Sequence, residues 1–407
     1  MTINIIITLC GILLLAYIFD LTTSKTKIPS VILLLSLGWA AQQVTSFLDL
    51  DVPNLNNLLP IFGTLGLILI VLEGTLEVEL NRSQVPLIKK SVFAALFPMV
   101  GLSITLALIF QYYGNYSFRD SLINAIPLSI ISSAIAIPSV KYLSRSAKEF
   151  VTYESSFSDI FGVIFFDFVA LNATMTFGAF SQFIWQFLIM CAVSFIASLG
   201  LAFLLGKIEH HIKMVPIIIL IIIIYAIAKT YHLPALIFIL IFGLFLSNLR
   251  LLENIKWINF LNTKDSARDV EKFREIVTEG TFLVRSIFFM MFGYLISTSE
   301  IINPKTFPWA FGIVILIFIL RYIQLKVSKI PMMPLLLIAP RGLITILLFL
   351  AIVPQQSIAL VNDSLIIQVI ILTAIFMMIG LIAVKTPAKK TDNNANLAQS
   401  QEVKEVS

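Results

Sequence analysis

The sequence predicts an all-α, polytopic membrane protein of about thirteen transmembrane helices, and three observations lead there. The chain is 58% hydrophobic and only 13% charged over 407 residues, where soluble proteins average roughly 25% charged. Apolar runs of about 17 to 25 residues, the length that crosses a bilayer, recur along the chain. Lysine and arginine gather in alternate connections between those runs, as the positive-inside rule requires of a threaded chain. A soluble domain of this length would instead show polar faces on its helices.

Taken in order, the apolar segments fall at about 3–19, 28–47, 58–76, 91–112, 121–143, 152–177, 182–206, 214–230, 233–249, 280–298, 306–325, 330–353 and 365–385. The first, "MTINIIITLCGILLLAYIF", has neither a basic n-region nor a small-residue cleavage site, so it reads as a retained span. Lys25 and Lys27 follow the first segment, Arg82, Lys89 and Lys90 the third, Lys141, Arg145 and Lys148 the fifth. Lys207 and Lys213 follow the seventh, a basic loop from Arg250 to Arg274 the ninth, Lys326 and Lys329 the eleventh. The connections between hold only Arg119, Lys229 and Lys305. The expected protein is multi-pass in the plasma (inner) membrane, with its N terminus outside and its C terminus cytoplasmic. The charged connection at about 250–280 is expected along the cytoplasmic surface, and residues 387–407 as a short disordered cytoplasmic tail. The net charge of +5 follows from these loops and calls for no nucleic-acid partner.

Cys10 and Cys191 sit in separate apolar runs, and His210, His211 and His232 fall at helix ends with no zinc spacing. No cofactor is expected. The chain has no HExxH and no GxSxG, and an enzyme is not expected either.

Thirteen spans divide as six, one and six. A transmembrane domain over 1–386 would then hold two inverted repeats, about 1–178 and 214–386, on either side of a linker helix at about 182–206. The fifth span of each half carries a proline near its start and another inside: Pro127 and Pro138 in "AIPLSIISSAIAIPSVKYL", Pro334 and Pro340 in "MPLLLIAPRGLITILLFL". Proline removes a backbone donor and clashes with the preceding turn, so these are either kinked or broken helices. Broken helices at matching positions of two inverted halves point to a midplane ion or substrate site in a secondary transporter.

Charges inside the apolar segments single out the candidates. Asp159 lies about seven residues into the sixth segment, roughly 10 Å along the axis, too deep to reach headgroups easily. An intramembrane carboxylate costs about 2.5–3.5 kcal/mol on insertion scales. It holds a proton or ligates a hard monovalent cation, and competition for one site couples the two. Glu154 at the start of the same helix and Arg321 at the end of the eleventh segment share a depth; they pair, or each snorkels to the interface. Arg341, beside Pro340, holds carbonyl ends or repels a cation, unless it partners a structural carboxylate. Asp167 lies ~80° round the helix from Asp159 and ~12 Å along it, lining an outer funnel or bonding a polar neighbour. Glu73 closes the third segment near the cytoplasm, and Arg285 is expected to snorkel at the interface.

"ESSFSD", Glu154 to Asp159, resembles the Glu-Ser-x-x-Asn-Asp signature of NhaP-type cation:proton antiporters. "VLEGTLEVEL" is similar to that superfamily's third-helix motif and "IFFMMFGYLI" to its Phe-rich Gly motif. "LIFILRYIQL" resembles the span bearing the paired Arg, and "APRGLITIL" the second broken helix. The likeness runs from about Ile61 to Phe349. It implies that the two broken helices cross, and that Asp159 is the carboxylate for proton and monovalent cation. It also implies a Glu154–Arg321 salt bridge, Arg341 as the charge in the crossed-helix region, and a homodimer with an elevator-like movement. The expected activity is exchange of H+ for Na+, with Li+ or K+ as other cations, electroneutral with one exchanging carboxylate. The alternatives are a K+-efflux or channel-like relative and a non-transporting homologue. Two positions depart from the family pattern. Ser158 replaces the Asn, and Ser132 and Ser133 stand in place of Thr-Asp-Pro as the polar groups of the first break, leaving hydroxyls to complete an ion site with Asp159. Asp167 and Glu73 are the accessory candidates.

Overall fold

A computed structural model describes residues 2–26, 28–48, 55, 58–78, 85–140, 143–172, 177–207, 213–231, 233, 235–249 and 263–383. Residues 387–407 and the three histidines, on which expectations rested, lie outside them. The helices are α1 (Thr2–Thr26), α2 (Ser30–Phe47), α3 (Leu59–Leu76), α4 (Val85–Gly114), α5 (Phe118–Ser129), α6 (Ser133–Ser139), α7 (Arg145–Leu171) and α8 (Phe177–Lys207). They continue with α9 (Met214–Thr230), α10 (Leu236–Ser247), α11 (Thr263–Leu295), α12 (Thr298–Ile301), α13 (Phe307–Val327), α14 (Leu343–Ala351) and α15 (Asp363–Ala383). The described residues contain no strand.

The apolar segments fall on helices, the fifth on the α5–α6 pair, except that the twelfth holds turns followed by α14. Among the described residues, eight stretches are long and apolar enough to cross a membrane, the α5–α6 pair counted as one. Apolar surface all round suits helices that are either buried or facing lipid. The charged connection differs from expectation: from Thr263 onward it is no separate surface helix but the first half of α11, continuous with the span. Lys213 holds it to the start of α9 through Asp269 at 2.6 Å.

Without water to expel, helices in a bilayer associate through close packing and polar contacts. The α2–α11 pair shows both. A Cβ on Gly38 would collide with the carbonyl of Met290, and one on Gly293 with the carbonyl of Leu35. The two backbones therefore touch, which gives the glycine of "IFFMMFGYLI" a physical reason. At the end away from the basic loops, Trp39 and Gln43 reach Thr298, and Thr45 meets Tyr294 at 2.9 Å.

Three helices have well-defined ends near the breaks. Ser117 caps α5 by accepting from the N–H of Asp120 at 3.0 Å, and Ser144 caps α7. α13 stops where Lys329 turns left-handed (φ 52°) and the N–H of Ile330 closes onto Leu325 at 3.1 Å, a Schellman ending that aims the chain inward. α7 runs through the centre of the assembly, packed against α4, α5 and α6.

Candidate functional site

The first break lies between its two prolines. α5 runs through Pro127 to Ser129, Ile130 and Ser132 are extended, and α6 begins at Ser133. Three consecutive N–H groups are thereby released from helical bonding, and each finds a partner from elsewhere in the chain. Ile131 donates to the Ser158 hydroxyl at 3.0 Å, Ser132 to the carbonyl of Pro340 at 2.9 Å, and Ser133 to Asp159 Oδ2 at 3.2 Å. The Ser133 hydroxyl donates to the same Oδ2. The pair Ser158–Asp159 on α7 thus supports the unwound turn, a role that short polar side chains one residue apart fill well.

Asp159 is 4% exposed. Its Oδ1 has no hydrogen-bond partner, and neither has the Ser132 hydroxyl, 1% exposed in the same turn. Among the described residues no basic side chain forms an ion pair with Asp159. Buried polar groups without partners are rare and mark a strained, catalytic or ligand-binding position.

The second break is built differently. Pro331, Pro334 and Pro340 crowd its first half, and residues 333–337 form turns where a helix was expected. The Met333–Pro334 peptide is cis. Arg341, 2% exposed, lies across the gap. Its Nε donates to the carbonyl of Leu128 at 2.9 Å, Nη2 to that of Ser129 at 3.3 Å, and Nη1 to that of Ala339 at 2.7 Å. Two of these are the last carbonyls of α5, where a cation offsets the helix dipole. Of the roles weighed from sequence, the geometry fits the one that holds carbonyl ends.

Glu154 and Arg321 meet. The contact is bidentate, Nη1 to Oε1 at 2.6 Å and Nη2 to Oε2 at 2.8 Å, with the side chains 1% and 3% exposed. Nε of Arg321 also donates to the carbonyl of Leu335 at 2.8 Å. Three guanidinium nitrogens are engaged, two on the carboxylate and one on the backbone, the forked geometry in which arginine surpasses lysine.

The accessory carboxylates lie apart from this cluster. Glu73 lines a cavity of about 500 Å³ that opens at the basic-loop ends of α1, α3, α6 and α11 and reaches Ser133. Asp167 is half-buried two turns beyond Asp159, with Lys229 and Tyr225 of α9 as its electrostatic neighbours. Arg285 overturns its expectation. Its side chain is 11% exposed and turns inward, Nη2 lying 3.9 Å from Asp20 and Nη1 3.5 Å from the carbonyl of Ala134. A basic residue six residues into an apolar run after a charged helix looks like a snorkelling residue; only the continuity of α11 reveals that it faces a cavity.

Membrane-spanning helices wrapped around two meeting breaks, with a carboxylate buried at one of them, define a secondary transporter. Residues 10–389 match the family described as "Sodium/hydrogen exchanger, transmembrane", and the chain belongs to that family. It is an integral membrane protein. Its fold is similar to that of the sodium proton antiporter MjNhaP1 from Methanocaldococcus jannaschii. One structure of that antiporter aligns at 18% identity with a TM-score of 0.71, covering 93% of this chain and 99% of the other. A second, from electron microscopy, aligns at 18% identity with a TM-score of 0.66, covering 94% and 95%. Comparison with curated protein sequences finds no match.

Proposed function

We propose that the protein exchanges protons for a monovalent cation, Na+ foremost and Li+ or K+ next, through alternate occupancy of Asp159. The observation that carries this reading is the half-satisfied carboxylate: Oδ2 is held by Ser133, while Oδ1 and the neighbouring Ser132 hydroxyl are buried without partners. Oxygen atoms suit a hard cation. With a proton on Asp159 the site is neutral; with a monovalent cation on the carboxylate it is neutral again. Both loaded forms carry the same charge, so exchange is one for one and electroneutral. Glu154 supplies no second exchanging carboxylate, because Arg321 engages both its oxygens. Ser158 holds the unwound turn and Arg341 the carbonyl ends opposite it; Glu73 and Asp167 stand at the approaches on either side. Membership of the exchanger family supports the reaction class, and the loop charges support a plasma-membrane orientation with the N terminus outside. A homodimer with an elevator-like movement follows from the resemblance alone.

The test is reconstitution of wild type and Asp159→Asn into liposomes with an internal pH dye, a pH gradient, and Na+, Li+ or K+ added in turn. Cation-dependent pH change in the wild type that is absent from a folded mutant supports the reading and names the ion. A folded wild type silent to every cation, or one that passes current in channel recordings, defeats it. A potential generated by exchange in tight vesicles would defeat the one-for-one stoichiometry.

A further inference from the structure

The cavity that leads to Ser133 is acidic. Asp20, Glu73, Glu77 and Glu279 line it, and Arg285 is the one basic residue among the described residues of its wall. Such a funnel concentrates cations. A strongly acidic funnel also has a cost for a transporter, since an ion bound too tightly there does not leave; transport needs binding favourable enough to enter and weak enough to exit.

Arg285 is held in a way that fits this need. The two fully buried arginines are fastened by short, directed bonds: Arg321 by three between 2.6 and 2.8 Å, Arg341 by three between 2.7 and 3.3 Å. Arg285 has one ion-pair contact at 3.9 Å and one hydrogen bond at 3.5 Å, both at the limit of what counts as an interaction. Those two contacts also divide it between different elements, Asp20 at the end of α1 and the Ala134 carbonyl on α6. Ala134 directly follows Ser133, the residue that holds Asp159. Arg285 has Glu73 as a further electrostatic neighbour in the same cavity. Its charge therefore lies between the carboxylates of the funnel and the turn that carries the ion site, loosely tethered to both.

We propose that Arg285 is a resident competitor for the transported cation. Its tethered positive charge occupies the acidic vestibule and has to be outweighed before a monovalent ion from that side reaches Asp159, and it pushes an arriving ion back out on release. Arg285 is a positioning residue that tunes affinity; it does not itself bind the ion. The inference rests on the exchange reading above and deepens it.

The experiment measures exchange in proteoliposomes against cation concentration, with the cation supplied in turn to each face, for wild type, Arg285→Gln, Arg285→Met and Arg285→Lys. Met keeps the packing of the stem without the charge. At vestibule distances and an effective dielectric between protein and water, removing one charge should lower the apparent KM about two- to tenfold on the vestibule side. Vmax should be unchanged or lower, and Lys should stay within about twofold of wild type because it keeps the charge. An unchanged or higher KM in the neutral variants, or an equal change in Lys, overturns the inference. So does failure of both neutral variants to fold where Lys folds, because Arg285 would then be a structural counter-charge. A wild type with no exchange would instead defeat the functional reading, and the two failures are told apart by that control.

Discussion

The two helix breaks meet in the middle of the molecule, Ser132 of one donating to Pro340 of the other, but they are finished in different ways. The second is closed. Arg341 takes up the carbonyl of Ala339 and Arg321 that of Leu335, and Arg341 also reaches across to the last carbonyls of α5, Leu128 and Ser129. The first is left open: its N–H groups are matched, while Ser132 Oγ and Asp159 Oδ1 keep unused capacity. Fixed cations bond backbone carbonyls at both breaks, but among the described residues no basic side chain pairs with the Asp159 carboxylate at the open one. A mobile ion has room for chemistry only where the protein has not already supplied the charge.

The largest effect expected from this comparison is at the open break. Asp159→Asn should remove cation-dependent proton flux altogether while leaving the protein folded, since the amide still accepts from Ser133; liposome flux and size-exclusion elution measure the two. Next comes the bridge. Glu154→Ala or Arg321→Ala strands a buried charge and should destabilise by about 3–5 kcal/mol, read as lost folded yield or a lower Tm. Exchanging the pair, Glu154→Arg with Arg321→Glu, should recover only part of that, because a glutamate at 321 cannot donate to the Leu335 carbonyl. Full recovery would show that the backbone bond contributes nothing.

A smaller loss is expected at Arg341→Met. Each carbonyl left without a donor costs about 1–3 kcal/mol, offset by no longer burying a charge, so its Tm should lie between those of wild type and the broken bridge. The smallest effect sharpens the contrast most. Ser132→Ala removes a hydroxyl that bonds nothing in the protein, so thermal stability should hardly move. If that hydroxyl ligates the ion, the apparent cation KM should rise about two- to tenfold, the equivalent of ~0.5–1.5 kcal/mol. A variant that loses stability with KM unchanged would place Ser132 with the closed, structural groups.

The helices were legible because a bilayer leaves few choices: a long apolar run with every backbone group to satisfy becomes a helix. The two breaks were legible from paired prolines, though not their positions. The first unwinds between Pro127 and Pro138 because Ser158 and Asp159 compete for its N–H groups, contacts made 27 and 26 residues along the chain and invisible to local reading. The second loses its leading helix to three prolines in ten residues, of which the pairing argument used two. Glu154 and Arg321 could be matched by depth, since opposite charges at one level of a membrane have few other solutions. Arg285 could not, because depth alone does not separate an arginine facing headgroups from one lining an internal cavity. Its helix was expected to begin at about residue 280 and begins at Thr263, which moves that arginine from the rim to the wall.

One guanidinium has a wider reach than its ion pair. Arg321 stands on α13, grips Glu154 on α7 and holds the Leu335 carbonyl of the second break. It thereby joins α7 to α13 and to the second break, which follows α13 directly, at a single point. If the exchange proposed above moves Asp159 relative to the bilayer, this one contact ties α7, α13 and the second break into a single unit that would move with it.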